Sequence, residues 1–465
     1  MFFREFPVAV RKQQNQKKYI PEQSPELSVG LTRFAVYSVS EMAVFLPNGS
    51  GTAVFAFRRK PLHYFFREVY SMADISQIRF AHRFDQVTGS AIREIFKVIA
   101  QPGMISFAGG NPSLDALPDR QVSELAQYVL EKDGKALLQY GATEGYRPFL
   151  ESLKAYAEDQ LGVSIPAVLP VTGSTQAMDL LCKALIDPGD KVLVEDPSFL
   201  GNLQCLKLYQ ADLIPVMSDE NGMITEDLEE KIRRYHPKLL YTIPTFQNPT
   251  GKTLTENRRK AIAELANQYG VVVAEDDPYR DLRYDGVPCR SIKSFDQNGW
   301  VMFLGSFSKI ISPGLRVGFI AGDAGIIRKC TIGKQSTDVH TANLNQAVVD
   351  QYLRRNILPD HIRTICAGYK HKMHKMLECL EQFPEGVRHT TPEGGLFIWA
   401  ELPEGIDTVK LLSEAVERKV AYVPGTYFCV NGGRMNTLRL NFSNSTAEQI
   451  ETGMNVLNEL IRSKL

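Results

Sequence analysis

The chain has 465 residues, 44% of them hydrophobic and 23% charged, enough to bury a large core spread over more than one domain. Lys+Arg and Asp+Glu both number 53, so no net field draws the protein to nucleic acid or to an anionic membrane. Seven scattered cysteines without a C-x-x-C pair point to a reduced, cytoplasmic setting rather than a disulfide framework, and no apolar run approaches the length of a membrane span.

Residues 1–71 differ from the rest. They hold ten Lys/Arg against five Asp/Glu, and Gln13 to Gln23 is rich in Gln, Lys and Asn. The apolar stretches Phe34–Tyr37 and Ala53–Phe57 could be short strands but lack partners of similar character. Arg4, Glu5, Arg11 and Lys12 interrupt any signal-peptide core, and Glu5, Glu22 and Glu26 weigh against a transit peptide. Gly49-Ser50-Gly51 lacks the third glycine and the following helix of a dinucleotide loop. The expectation is that Met72 is the functional start and that 1–71 is an extension outside the catalytic core.

From Met72 onward strands and helices alternate, which predicts an α/β domain with a mainly parallel sheet. The expected strands are Ala167–Val171, Lys191–Val194, Leu239–Thr242, Val271–Ala274, Val301–Leu304 and Val317–Ala321. Helical patterns fill the intervals at Ser174–Ile186, Leu200–Tyr209, Glu226–Tyr235 and Glu256–Tyr269, the last with Thr255 as N-cap and Gly270 as its stop. After about residue 345 the texture changes. Leu344 to Phe383 reads as long helices broken near Pro359, and Leu396–Trp399, Ala421–Val423 and Leu438–Leu440 read as strands of a smaller α+β domain.

Polar clusters fall at the C-terminal ends of successive strands, where parallel sheets bind ligands. Thr172-Gly173-Ser174-Thr175-Gln176 opens a helix and offers amides and hydroxyls to an anion. Phe199, in Glu195-Asp196-Pro197-Ser198-Phe199, could stack on a flat ring. Asn248, in the turn-forming Asn-Pro-Thr-Gly run, suits a phenolic oxygen or a carboxylate. Asp276 and Asp277 are adjacent acids at a strand end, with Tyr279 just beyond; an acid buried beside a ring nitrogen keeps that nitrogen protonated. The stretch Ser306-Phe307-Ser308-Lys309, with Arg316 seven residues on, suits a Schiff-base lysine beside a phosphate. An anion loop, an aromatic plate, an amide donor, a carboxylate with a tyrosine, and a lysine with phosphate-binding flanks are together the requirements of pyridoxal 5′-phosphate. By contrast His371 and His374, spaced i, i+3 on a predicted helix without matching Cys or acid ligands, read as a solvated face rather than a metal site.

From about Phe84 to the C-terminus the chain resembles the fold-type I, pyridoxal-phosphate-dependent aminotransferases of class I/II, most closely their 2-aminoadipate and kynurenine aminotransferase branch, which is shared with the catalytic half of MocR-type regulators. Further segments that carry the likeness are Ser90–Ile95, Ile105–Pro112, Leu138–Tyr146, Gly394–Trp399, Tyr422–Gly425 and Asn436–Leu440. The resemblance implies a large domain with a mainly parallel central sheet plus a smaller α+β domain: 72–125 as N-terminal arm and part of the small domain, 126–344 as the large cofactor-binding domain, 345–465 as the small C-terminal domain. It also implies Lys309 as the lysine that binds the cofactor aldehyde and moves the substrate proton. Asp276, chosen over Asp277 by the family spacing Asp-x-x-Tyr, would face the pyridine nitrogen, and Tyr279 with Asn248 the phenolic oxygen. Ser174, Thr175, Ser306, Ser308 and Arg316 would cradle the phosphate and Phe199 would stack on the ring. Tyr140 would reach the phosphate of a neighbouring subunit, hence a homodimer. Arg439 would anchor the substrate α-carboxylate, helped by Asn248 and Gly110, and Arg93 would meet the substrate side chain. Many relatives have Gln where Thr175 stands and Tyr where Phe199 stands, which reads as tuning rather than loss of binding.

The activity implied is transfer of the amino group of an L-amino acid (2-aminoadipate, aromatic or branched-chain) to 2-oxoglutarate or another 2-oxo acid. The alternatives are a lyase or decarboxylase on the same fold, and an effector-sensing regulator, which would need a DNA-binding segment before residue 72.

Overall fold

The computed structural model describes Ile75, residues 78–85, Val87 and residues 102–465. The expectations for 1–71, for Met72 as the start, for Ser90–Ile95 and for Arg93 lie outside the described residues. The chain divides between Ile78 and Arg79, and the described sheets and the cleft belong to the second unit.

The centre of that unit is a seven-stranded sheet of β1 (Ala167–Val171), β2 (Lys191–Glu195), β3 (Asp212–Val216), β4 (Leu239–Thr242), β5 (Val272–Asp276), β6 (Val301–Ser306) and β7 (Gly318–Gly322), in the order β1-β7-β6-β5-β4-β2-β3. Strands β3, β2, β4, β5 and β6 pair in parallel, while β7 runs antiparallel to both β6 and β1. Side chains alternate between the two faces. Leu193, Leu240, Val273 and Val301 pack into the layer under helices Thr225–Tyr235 and Glu256–Tyr269. Val192, Val194, Tyr241, Ala274, Met302 and Leu304 join the larger core on the other face, which includes Ala177, Met178 and Leu181 of helix Ser174–Leu185. Helices on both faces of a nearly parallel sheet leave the strand ends as the open place for a site.

The six strands expected in this sheet keep their positions to within two residues, as do the helices between them. Glu256–Tyr269 ends at Gly270 in the left-handed conformation as expected, but Thr255, although it precedes the helix, makes no side-chain capping bond. Strand β3 was not anticipated. It contains Pro215, which would cost a central strand a ladder bond, and it lies at the sheet edge, pairing only with β2. Also unanticipated are helices Asp119–Leu137, Arg147–Leu161, Ala324–Gln335, Thr408–Glu417 and Ala447–Arg462.

Beyond β7, helices Asn343–Arg354 and Leu358–Leu380 are separated by a break, with Pro359 in the first turn of the second, where a missing N–H costs nothing. A four-stranded antiparallel sheet comes next: β8 (Arg388–His389), β9 (Phe397–Glu401), β10 (Val423–Pro424) and β11 (Thr437–Asn441), in the order β8-β9-β11-β10. The single strand expected at Ala421–Val423 is in fact two. Val420–Ala421 pairs in parallel with Ile105–Ser106, and only Val423–Pro424 joins the four-stranded sheet.

Candidate active site

The ends of β1, β4, β5 and β6, the start of β7 and the middle of β11 meet in a cleft of about 400 Å³. Its lining includes Gly110, Ser174, Thr175, Phe199, Asn248, Asp276, Tyr279, Ser306, Ser308, Lys309, Arg316 and Arg439. Of the site residues singled out in the sequence only Tyr140 and Arg93 are missing from that set. Tyr140 is 81% exposed, edge-on to the His340 ring at 6.1 Å, and Arg93 is outside the described residues.

One end of the cleft is a cradle for an anion. Gly173, with φ +83°, turns the chain from β1 into helix Ser174–Leu185, so the amides of Ser174 and Thr175 are the first of that helix and have no intrahelical acceptor. Arg316 reaches the same edge because β7 is antiparallel: the residues before its first strand position lie beside the ends of the parallel strands. It adopts the left-handed conformation (φ +52°), and its Nη2 donates to Thr172 O at 3.0 Å. A Cβ on Gly173 would collide with that guanidinium. The Ser308 amide donates to Ser306 Oγ at 3.2 Å, which turns the chain after β6 so that Lys309 follows.

Asp276, the last residue of β5, is 2% exposed. Its Oδ2 accepts from Tyr241 Oη at 3.0 Å and Asn202 Nδ2 at 3.1 Å, while its buried Oδ1 has no partner among the described residues. Burial pushes the carboxyl up to about 7, offset by the bonds from Tyr241 and Asn202. An orphaned carboxylate oxygen at the cleft wall matches a ring N–H⁺, which would hold the acid ionised. Asp277 turns away from the cleft: its Oδ2 accepts from Thr245 Oγ1 at 3.0 Å, and Arg280 approaches it from the same region.

Tyr279 Oη receives a bond from Asn248 Nδ2 at 3.5 Å, and its ring stands edge-on to Phe397 at 5.8 Å. Burial raises its pKa above the usual tyrosine value, so at neutral pH the hydroxyl keeps its proton and can donate. Asn248 is held by a loop whose Gln247 Nε2 donates to Pro197 O at 2.7 Å and to Glu195 Oε2 at 3.3 Å.

Lys309 Nζ donates to Gly110 O at 2.8 Å. Burial, then the Arg316 and Arg439 charges, bring its pKa down to about 8. Arg439, on β11 and 3% exposed, donates through Nη1 to Asn248 Oδ1 at 2.8 Å and through Nη2 to Ala108 O at 2.5 Å. Its guanidinium lies 4.4 Å from the Phe397 ring centroid and 5.0 Å from that of Phe428, and its buried Nε has no partner. Burial lowers its pKa to about 10. Among the described residues neither of its hydrogen-bond partners is an acid, which leaves its charge suited to an external carboxylate.

Sequence reading passed over Asn202 and Tyr241. Asn202 is one helical turn beyond Phe199 and is buried along with Leu203 and Leu206 of the same helix, and Tyr241 is a hydroxyl-bearing residue inside the apolar run of β4; the latter could have signalled a buried polar partner. His371 and His374 lie exposed on helix Leu358–Leu380, with His374 Nε2 3.5 Å from Asp285 Oδ2.

A sheet flanked by helices on both faces, with an anion cradle, a buried acid with one free oxygen and a lysine of depressed pKa at its strand ends, fits the fold-type I pyridoxal-phosphate enzymes. The family description "Aminotransferase class I and II" matches residues 102–457. The aromatic-amino-acid aminotransferase 1 of Thermococcus litoralis is 42% identical over 384 residues, covering 81% of this chain and 92% of that protein. The Pyrococcus horikoshii kynurenine aminotransferase, solved with PMP, kynurenine and kynurenic acid, superposes with a TM-score of 0.82 at 41% identity, covering 84% of this chain and 99% of that one. The α-aminoadipate aminotransferase of Thermus thermophilus, complexed with N-(5′-phosphopyridoxyl)-L-leucine, gives a TM-score of 0.77 at 36% identity over 83% and 97% of the two chains. The chain belongs to the class I and II aminotransferases: it is a transaminase, and pyridoxal 5′-phosphate is its cofactor.

Proposed function

We propose that this transaminase takes its amino group from a 2-aminoadipate, aromatic or branched-chain L-amino acid, with a broad range, and passes it to 2-oxoglutarate or another 2-oxo acid. The observation that carries this reading is the convergence of Lys309, Asp276 and Arg439 in one cleft. The relatives named above, which act on aromatic amino acids, kynurenine and α-aminoadipate, support the donor range. No described helix is long and apolar enough to cross a membrane. The partners proposed are small molecules and a second copy of the chain, with no nucleic acid and no membrane, in the cytoplasm; the balanced charge and the seven free cysteines support this. Tyr140, exposed outside its own cleft, is assigned to the phosphate in the partner subunit, and Arg93 to the substrate side chain. The expected domains, with 72–125 and 345–465 forming the arm and small domain around 126–344, belong to the same proposal.

Bound pyridoxal phosphate supplies a conjugated ring that takes up the electron pair left when the substrate Cα loses its proton. The protein's part is to hold and to move protons. Ser174, Thr175, Ser306, Ser308 and Arg316 would hold the phosphate, and Phe199 would stack on the ring. Asp276, supported by Asn202 and Tyr241, keeps the ring nitrogen protonated. Tyr279 and Asn248 hold the phenolic oxygen. Arg439 grips the α-carboxylate with Asn248 and Gly110 beside it, which points Cα–H at Lys309 Nζ. Lys309 Nζ, which would hold the cofactor aldehyde until the substrate amine displaces it, would then be free to accept the Cα proton and to give it back within the cleft.

Two substitutions test these assignments. Asp276→Asn is expected to lower kcat by about 10²-fold or more while cofactor remains bound, because an amide cannot stabilise the charged nitrogen; unchanged turnover would remove Asp276 from the mechanism. Gly173→Ala is expected to raise the dissociation constant for pyridoxal phosphate by roughly tenfold, since the new Cβ displaces Arg316 and strains a left-handed position. Absorbance titration of the apo-protein reads that change.

The donor range is tested by steady-state turnover with 2-oxoglutarate against 2-aminoadipate, phenylalanine, kynurenine, leucine and alanine. Comparable kcat/KM for several donors of the first four is the expected result. Turnover confined to a donor outside these classes, such as alanine, would overturn it.

A further inference from the structure

The phosphate cradle depends on a buried polar cluster behind it. Lys334, at the end of helix Ala324–Gln335, is fully buried, and its Nζ donates to both carboxylate oxygens of Asp338 at 2.9 Å and to Gln176 Oε1 at 2.8 Å. Gln176 Nε2 donates to Asp338 Oδ2 at 2.7 Å, and Gln176 Oε1 also accepts the Thr172 amide at 2.7 Å. Thr172 Oγ1 donates to the same Asp338 oxygen at 2.9 Å. Asp338 is itself fixed, through its amide, to Lys334 O at 3.1 Å, and Val339 follows in the left-handed conformation (φ +66°), which a β-branched residue adopts only when its surroundings impose it.

Thr172 is thus held at its amide and its hydroxyl, and its carbonyl is the acceptor that orients Arg316. The next residue is Gly173, the turn that aims the Ser174 and Thr175 amides. Both limbs of the cradle, the helix start and the guanidinium, hang from one residue anchored by the Lys334–Asp338 pair. Nothing in this cluster lines the cleft. A buried pair alone is weak evidence for stability, but here each remaining hydrogen-bonding group is spent on the turn that meets the anion.

The geometry points to Thr172, Gln176, Lys334 and Asp338 as positioning residues for the cofactor phosphate, acting through Thr172. This rests on the cradle described under the proposed function. It predicts a defect specific to the phosphate, not to the ring or to folding.

The experiment compares the full-length apo-protein's affinity for pyridoxal phosphate with its affinity for pyridoxal, which lacks the phosphate. Thr172→Val keeps the shape and the ion pair but removes the hydroxyl's bond to a charged acceptor. It should weaken pyridoxal phosphate by roughly tenfold and leave pyridoxal unchanged. Thr172→Ser should restore the wild-type value. The double variant Lys334→Met/Asp338→Leu replaces the pair without stranding a charge and should lose more affinity, again for the phosphate form alone. Inorganic phosphate, as competitor against pyridoxal phosphate, should lose potency in parallel. Equal losses for both ligands, or no loss with only a lower melting temperature, would show a purely structural cluster and overturn the inference. If the double variant does not fold, Thr172→Val decides alone. Failure of the wild-type protein to bind pyridoxal phosphate at all would instead refute the cradle itself.

Discussion

Replacing Lys309 with alanine is expected to lower amino transfer by roughly 10⁴-fold or more, the larger end of what a positioned proton-transfer group supplies. No other described amine lines the cleft, and among the described residues Lys309 Nζ bonds only to Gly110 O. The residual cradle, ring contact and Asp276 should still bind the cofactor, so the variant loses turnover before it loses ligand. The depressed pKa fixes the pH dependence of cofactor attachment. The amine attacks the aldehyde only when neutral, so the second-order rate of attachment to the apo-protein should rise with pH through about 8 and flatten above it. The same shift has a sign for stability. Between about 8 and the reference value of 10.5 the folded lysine is neutral and the unfolded one protonated. Unfolding therefore takes up a proton, and this group's contribution to apo-protein stability rises with pH across that window. An attachment rate that shows no rise through about 8 would show that Lys309 titrates elsewhere.

Arg439→Lys is expected to lower kcat/KM for both amino acid and 2-oxo acid by about 10² to 10³-fold, the range found when one partner of a buried, hydrogen-bonded charge pair is truncated. Lysine keeps the charge but not the planar fork, and it cannot meet Asn248 Oδ1, Ala108 O and a carboxylate together. Its ammonium would also sit less well between Phe397 and Phe428, which now flank the guanidinium. Cofactor affinity should fall far less, because Arg439 touches the cofactor site only through Asn248 and bonds to none of the phosphate-cradle residues. If pyridoxal phosphate affinity falls as far as kcat/KM does, the arginine has a different target.

The residues that line the cleft stood out in the sequence because they sit in short runs that chemistry constrains, Asp276 with Tyr279, Asn248 in its turn, and Ser306 to Lys309 with Arg316, and six strands of the sheet were legible from their apolar runs. What stayed hidden is where tertiary context decides. β3 went unread, and only its edge position shows why Pro215 is tolerated inside it. Ala421–Val423 looked like one strand because alternation does not say which sheet each residue serves. Asn202 and Tyr241 come from different elements and meet only at Asp276. The Lys334–Asp338 pair reads in sequence as an ordinary i, i+4 surface pair, and only the fold buries its lysine against the cradle. The antiparallel direction of β7, which delivers Arg316, has no local signature at all.

Transamination is tested most directly by mixing the pyridoxal-phosphate form of the full chain with a single amino acid, without any oxo acid, and following the absorbance. The expected result is that the visible absorbance of the aldehyde form gives way to the near-ultraviolet absorbance of the amine form, with stoichiometric release of a 2-oxo acid and reversal on adding 2-oxoglutarate. Persistence of the visible absorbance, or release of ammonia or carbon dioxide in place of the 2-oxo acid, would contradict it.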